Sequence, residues 1–258
     1  MAVLALKLIL APAFVVGASL TARRFGPRVG GLVGGLPVVA GPILLVLAIV
    51  HDRAFAARSA TASLLGLVSL TAFVVVYGFA ARRLRWPGAL ALAWLAFLAM
   101  TALASTVHLA ATPALALAFA AFVAGRAMLP APAAEPSPVG SGPPVWDLPV
   151  RAGCAAAMVL AITAASAGLG PRLSGLLAPS PIITTVLAAF THAQLGADAT
   201  LRLLRGMLTG FFAFALFSWT VALALPHTSI AAAFALATAV AALTQAAILG
   251  GEVVGSRP

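Results

Sequence analysis

The sequence predicts an all-α integral membrane protein of nine transmembrane helices, arranged as two inverted four-helix repeats joined by a linker helix. Three observations predict it. Composition comes first: 63% of the 258 residues are hydrophobic and 8% charged, with a mean hydropathy of +1.13, whereas soluble domains run at roughly 45–50% apolar and about 25% charged. The second is punctuation, because apolar runs near the length of a bilayer crossing, about 20 residues, are separated by arginine clusters or Pro/Gly stretches. The third is self-similarity. "GPRVGGLVGGLPVV" at residue 26 returns as "GPRLSGLLAPSPII" at residue 170, an offset of 144 positions.

In chain order the predicted helices cover residues 2–21, 29–50, 60–80, 87–107, 110–128, 150–168, 172–192, 205–225 and 228–249. The first lacks a basic segment before its apolar run, and its arginines follow the run, so it reads as a retained span rather than a cleaved signal. The second opens on residues that disfavour helix, six glycines and three prolines between Gly26 and Pro42. The fourth and fifth are separated only by the uncharged "STVHLAATP". One helix over 87–128 would extend about 63 Å, twice the roughly 30 Å hydrocarbon core, so a turn near His108 to Pro113 divides it. Residues 129–149, "LPAPAAEPSPVGSGPPVWDLP", have little to bury and read as an extended cytoplasmic linker. The expected division is a first repeat at 1–107, a linker helix and linker at 108–149 and a second repeat at 150–258.

Loop charge sets the orientation. Eleven arginines, at 23, 24, 28, 82, 83, 85, 126, 151, 202, 205 and 257, collect on one side, and three, Arg53, Arg58 and Arg172, on the other. The positive-inside rule then puts the N-terminus outside and the C-terminus in the cytoplasm of an inner (cytoplasmic) membrane. The same clustering argues against nucleic-acid binding, since the net charge of +10 is not spread as a basic stripe. Trp86 and Trp146 fall at expected interfaces, where an amphipathic indole is at home.

At the 144-residue offset Gly26, Pro27, Arg28, Gly31 and Pro37 pair with Gly170, Pro171, Arg172, Gly175 and Pro181 without a gap. Arg58 with Arg202, Gly66 with Gly210 and Phe73 with Phe217 continue the register. Matches at Gly, Pro and Arg are harder to obtain by compositional bias than matches at Leu. An odd helix between two four-helix halves inverts the second, an architecture that recurs in secondary transporters.

The candidate site follows from the breaks. Pro37 and Pro42 in one half, and Pro179 and Pro181 in the other, remove backbone donors and obstruct the helix. At membrane depth such breaks are tolerated where the freed groups face protein or a wet cavity. Gly34, Pro37, Gly41, Pro42, Pro179, Pro181, Thr184 and Thr185 are therefore the candidate substrate-lining residues, the threonine hydroxyls supplying hydrogen bonds. Arg28 and Arg172, before the breaks, are candidate gates or anion attractors; the alternative makes them interfacial caps that snorkel to phosphate. A purely structural alternative holds for the breaks too. Gly30 with Gly34 and Gly31 with Gly35 have the spacing that lets helices approach closely without a ligand.

Other chemistry is excluded or unsupported. Asp52, Glu135, Asp147, Asp198 and Glu252 all fall in expected loops or ends, which argues against cation export through a membrane carboxylate. Arg58 and Arg202 are candidates to pair with Asp52 and Asp198 or with headgroups. His108, His192 and His227 sit near span ends as interfacial or packing residues, and the lone Cys154 reads as a small packing residue. No metal-ligand spacing, catalytic residue set or cofactor motif is present, so no enzyme, metal or cofactor is expected.

Each half also resembles the small four-span GlpM-type inner-membrane proteins. The pattern is a Gly-Leu before a Pro-broken helix, a short loop with Gly and Arg, then a glycine in the next span. It is carried by Gly175, Leu176, Pro181, Gly196, Arg202 and Gly210, and less fully by Gly31, Leu32, Pro37, Arg58 and Gly66, with Asp52 where the second half has Gly196. The resemblance implies a bacterial envelope setting and no defined activity. Inverted four-helix halves likewise resemble drug/metabolite transporters. The expected function is a transporter or flippase for a neutral or anionic small molecule or an envelope-precursor lipid. The alternative is a non-transporting subunit or scaffold of a larger membrane complex; a homo-oligomer fits either.

Overall fold

The computed structural model describes residues 2–133, 144, 146–165 and 180–255, and among these every regular element is helical. The helices are α1 (Ala2–Phe25), α2 (Pro27–Gly34), α3 (Ala40–Val50), α4 (Arg53–Ala80), α5 (Trp86–Thr106), α6 (Ala111–Met128), α7 (Asp147–Ala165), α8 (Ile182–Ala224) and α9 (Ile230–Gly255). Six of them, α1, α4, α5, α6, α8 and α9, are long and apolar enough to cross a membrane. The chain is a multi-pass membrane protein.

Nine described helices coincide in number with the nine expected, but the correspondence is not one to one. The span expected at 29–50 is two helices. At 1.5 Å per residue α2 and α3 reach only about 12 Å and about 16 Å, so neither crosses a bilayer alone. The spans expected at 172–192 and 205–225 are legs of one element, α8, broken at Gly196 (φ 79°, ψ −175°). A β-carbon at Gly34 would meet both Leu187 and Met207, which lie on either side of Gly196. The legs 182–195 and 197–224 therefore lie side by side, and Gly196 closes a helical hairpin in one residue.

Before α4 the chain reverses differently. Asp52 (φ −164°, ψ 170°) is the N-cap of α4, its carboxylate accepting from the Phe55 amide at 2.5 Å. That cap starts α4 at residue 53, seven residues before the expected 60. Asp52 is thus committed to a helix end, and Asp198 receives the Ala133 amide at 3.0 Å and an ion pair from Arg82 at 3.6 Å.

Two helices form the centre: 72% of the α4 span and 67% of the α8 span are buried, against 17–28% for the other long helices. In lipid, apolar burial drives helices together only weakly, so close packing must supply the cohesion. Glycines supply it here. A β-carbon on Gly31 would lie 1.9 Å from the Leu203 carbonyl oxygen and one on Gly206 2.0 Å from that of Arg28, while Gly35 and Gly210 face each other's α-carbons. Two glycine pairs at i, i+4 thus let the backbones of α2 and α8 touch. Aromatic rings fill the remaining centre: Phe73 and Phe97 pack edge-on against Trp94, and Phe122 and Phe119 against Phe212.

Polar contacts gather most of the arginine clusters at one end of the bundle. Arg23 pairs with Asp147, which also receives Arg151 Nε at 2.8 Å and Gln194 Nε2 at 2.5 Å. Arg151 continues to Gln194 Oε1 at 3.0 Å and lies over the Phe190 ring. Arg205 donates to the Leu129 carbonyl at 2.6 Å, and Arg82 to that of Ala131. At the opposite end Arg53 donates to the Thr228 carbonyl at 3.2 Å.

These contacts correct three expectations. Asp147 belongs not to a linker but to the first turn of α7, with its side chain wholly buried, because Arg23, Arg151 and Gln194 satisfy its oxygens. Leu129, at the start of the supposed linker, is buried against Gly78 and so holds the chain to the bundle. Cys154 is exposed on α7 rather than packed inside.

Candidate functional site

The first break follows from local chemistry. α2 stops at Gly34, the Leu36 amide tightens back onto the Val33 carbonyl at 3.0 Å, and Pro37 has no amide to continue the ladder. Helix resumes at Ala40, with Pro42 inside the first turn of α3, where a missing donor costs least. At the second break Pro181 is the N-cap of α8, the Ile182 amide reaching the Ser180 carbonyl at 2.7 Å and the Thr185 amide that of Pro181 at 2.7 Å. Pro179 and Arg172 lie outside the described residues.

The two breaks meet. Gly34 and Leu36 from one, and Ser180 and Thr184 from the other, line a single partly open void that Leu70 and Phe211 also border. Its volume is about 40 Å³, room for about one water molecule. Thr184 and Thr185 are both buried, and the Thr185 hydroxyl accepts from Trp94 Nε1 at 3.1 Å, so it is turned towards α5.

A much larger space lies on the other face of the first break. An open groove of about 1050 Å³ runs between α9 and residues 36–45, its walls including Pro37, Gly41, Pro42, Phe217, Phe234 and Gln245. The candidate residues therefore divide: Gly34 and Thr184 face the central void, Pro37, Gly41 and Pro42 face the groove, Thr185 bonds α5 and Pro181 caps α8. Arg28 is exposed in the first turn of α2, beside the end that holds Arg23.

The 144-residue register explains why the groove is open. Trp94 of α5 packs beside the second break, with Nε1 on Thr185, and Phe97 packs edge-on against Trp94. At the matching positions of α9, 238 and 241, stand Thr238 and Ala241, and both line the groove. Small side chains leave unfilled beside one break what an indole, backed by a phenyl ring, occupies beside the other.

Sequence reasoning missed Gln245, Trp94 and the Asp147–Arg151–Gln194 cluster. Gln245 carried a signal, since an amide within an apolar span is expensive unless bonded. Asp147 and Arg151 carried another, an opposite-charge pair at i, i+4. Among the described residues no three His, Cys, Asp or Glu side chains come together to hold a metal ion. The chain matches no protein-family model, no curated protein and no solved structure.

Proposed function

We propose that this multi-pass membrane protein moves a neutral or anionic small molecule, or an envelope-precursor lipid, across the inner membrane by alternating access around its two broken helices. The observation that carries the reading is the meeting of both breaks around one void. Interrupted helices at membrane depth are costly except where they line a cavity or bury against protein, and paired interruptions are the usual place for a transporter's substrate. The 40 Å³ void would have to widen to admit such a cargo.

Inversion of the halves is supported by helix bounds and by end contacts. Adding 144 to the bounds of α4, 53–80, gives 197–224, the second leg of α8, and adding it to Trp86, the start of α5, gives Ile230, the start of α9. The end of α1 meets the start of α7 through Arg23 and Asp147, so the equivalent helices run in opposite directions. Exchanging the conformations of such halves converts an outward-facing site into an inward-facing one. Arg28, exposed at the start of α2, favours anionic or neutral cargo.

The test uses the full chain in proteoliposomes with a panel of organic anions and a headgroup-labelled phosphatidylglycerol. Wild type should move at least one probe faster than protein-free vesicles, and the Pro37→Ala/Pro181→Ala double variant should lose about tenfold in rate while inserting normally. Equal rates for variant and wild type, or no movement of any probe, overturn the reading.

The reciprocal contact of Gly31 and Gly35 with Gly206 and Gly210 favours a second reading, a non-transporting subunit or scaffold whose breaks exist for close packing. Co-purification in a larger assembly, with every probe immobile, would select it.

A further inference from the structure

Asp147 and Arg151 lie one turn apart on α7, so their side chains share a face, and Arg151 Nε donates to Asp147 Oδ2 at 2.8 Å. Gln194, on the first leg of α8, joins both. Its Nε2 donates to Asp147 Oδ1 at 2.5 Å and its Oε1 accepts from Arg151 Nη2 at 3.0 Å, which closes a ring of three charge-assisted hydrogen bonds. Arg23 of α1 pairs with the same carboxylate, and the Arg151 guanidinium lies over the Phe190 ring at 4.8 Å. Three helices are thus tied at one level. Asp147 and Arg151 are buried in the middle of the tie, while Arg23 and Gln194 are exposed at its edge.

The ring lies on a seam that begins at the central void. Ala11 of α1 and Ile183 of α8 both line that void. From Ala11 the same face of α1 continues at four-residue steps through the buried Val15 to the buried Ser19, about 12 Å further on. From Ile183 the same face of α8 continues through Leu187 and Phe190 to Gln194, about 16 Å further on. Both stripes lead to the ring. Both helices also head for the arginine-rich end, since α1 closes on Arg23 and Arg24, and the first leg of α8 closes at Gly196, beside the Asp198 that pairs with Arg82.

We infer that this ring is a gate: it latches α7 across the seam between α1 and the first leg of α8, and the void opens to the arginine-rich end when Gln194 parts from Asp147 and Arg151. The inference rests on the transport reading, which needs a closure between its central site and each face. Gln194 suits a latch that must release. A neutral amide both donates and accepts, so it answers the acid and the base together, and at an exposed position water replaces its bonds when it leaves. Asp147 and Arg151 then remain paired on α7. The matching positions 144 residues earlier hold Val3, Lys7 and Val50, a set with no carboxylate or amide side chain. The same latch cannot form there, so the two ends close by different chemistry.

The experiment follows one cysteine at the void, Thr184→Cys in a Cys154→Ser background of the full-length protein, with an impermeant anionic methanethiosulfonate applied separately to each face of sealed membrane vesicles. Arg83→Cys identifies the arginine-rich face. With the ring intact, Thr184→Cys should react slowly from that face. Gln194→Leu removes the bridge but keeps the pairs of Asp147 with Arg23 and Arg151, so it should raise the rate from that face at least tenfold and leave the rate from the other unchanged. Gln194→Asn, one methylene too short to reach both partners, should open the gate likewise. Ala93→Cys, wholly buried in the centre, should stay unreactive throughout. An unchanged Thr184→Cys rate in the two Gln194 variants would overturn the inference. So would an equal rise from both faces, or a rise at Ala93→Cys, which marks general loosening. Transport fails separately: immobile cargo probes in proteoliposomes with a tenfold rise here would remove the transport reading and leave the latch, and moving probes with an unchanged rate would do the reverse.

Discussion

A β-carbon added to Gly31 would lie 1.9 Å from the carbonyl oxygen of Leu203, so α2 rests on the backbone of α8 and not on its side chains. No rotamer change relieves such a contact, because the obstructing atom is main chain. Gly31→Ala should therefore force the helices apart, at a cost of about 3 kcal/mol or more. Gly17→Ala is the control, since nothing lies within 4 Å of the carbon it would add. The check is the thermal midpoint of the purified protein in detergent: the first variant should melt several degrees below wild type and the second with it. Equal midpoints for Gly31→Ala and wild type would show that α2 is not held by this contact.

That relationship was partly legible in the sequence and partly not. The spacing of Gly31 and Gly35 announced a close helix contact, and Pro37 announced the end of α2. Which helix would supply the opposing backbone was not readable, because Gly206 and Gly210 have the same spacing but no local feature that names a partner. Helix ends set by Pro or by charge were read almost to the residue, as with α5 at 86–106 against an expected 87–107. Ends set by one residue's backbone were not. Asp52 reads as loop charge, whereas its carboxylate caps Phe55, and Gly196 reads as part of a short loop between two spans, whereas its positive φ alone turns the chain between the two legs of α8. The void and the groove depend on how four separated segments face one another, and only the repeat, through Trp94 against Thr238, held a trace of that.

The buried ion cluster gives the second prediction. Asp147 is wholly buried and answers both Arg23 and Arg151, and Arg151 is itself 8% exposed. Asp147→Asn keeps the shape but leaves the buried Arg151 without its anion. Removing one partner of a buried pair costs about 3–5 kcal/mol, whereas replacing both by apolar residues of similar volume is often neutral. Asp147→Asn should thus lower the thermal midpoint strongly, and Asp147→Leu/Arg151→Met should recover part of the loss. A single variant as stable as wild type would mean that Gln194 Oε1 at 3.0 Å and Ser19 Oγ at 3.5 Å suffice to hold Arg151.

The last prediction concerns sidedness. Arg53 with Thr228, and Trp219 Nε1 with Thr112 Oγ1 at 3.4 Å, place the turns at 51–53, 107–110 and 225–229 at one end of the bundle. Arg82 with Asp198, and Arg205 with Leu129, place 81–85 and 129–133 at the other, where positive charge is concentrated. The positive-inside rule predicts that the second end faces the cytoplasm. In a Cys154→Ser background, His108→Cys and His227→Cys should react with a membrane-impermeant maleimide in intact cells. Arg83→Cys and Ala133→Cys should react only after permeabilisation. Because 108 precedes the middle helix and 227 lies in the second half, their common exposure, with the termini on opposite sides, is what inverted halves require. Labelling of His108→Cys and His227→Cys from opposite sides would rule out the inversion on which the proposed alternating access rests.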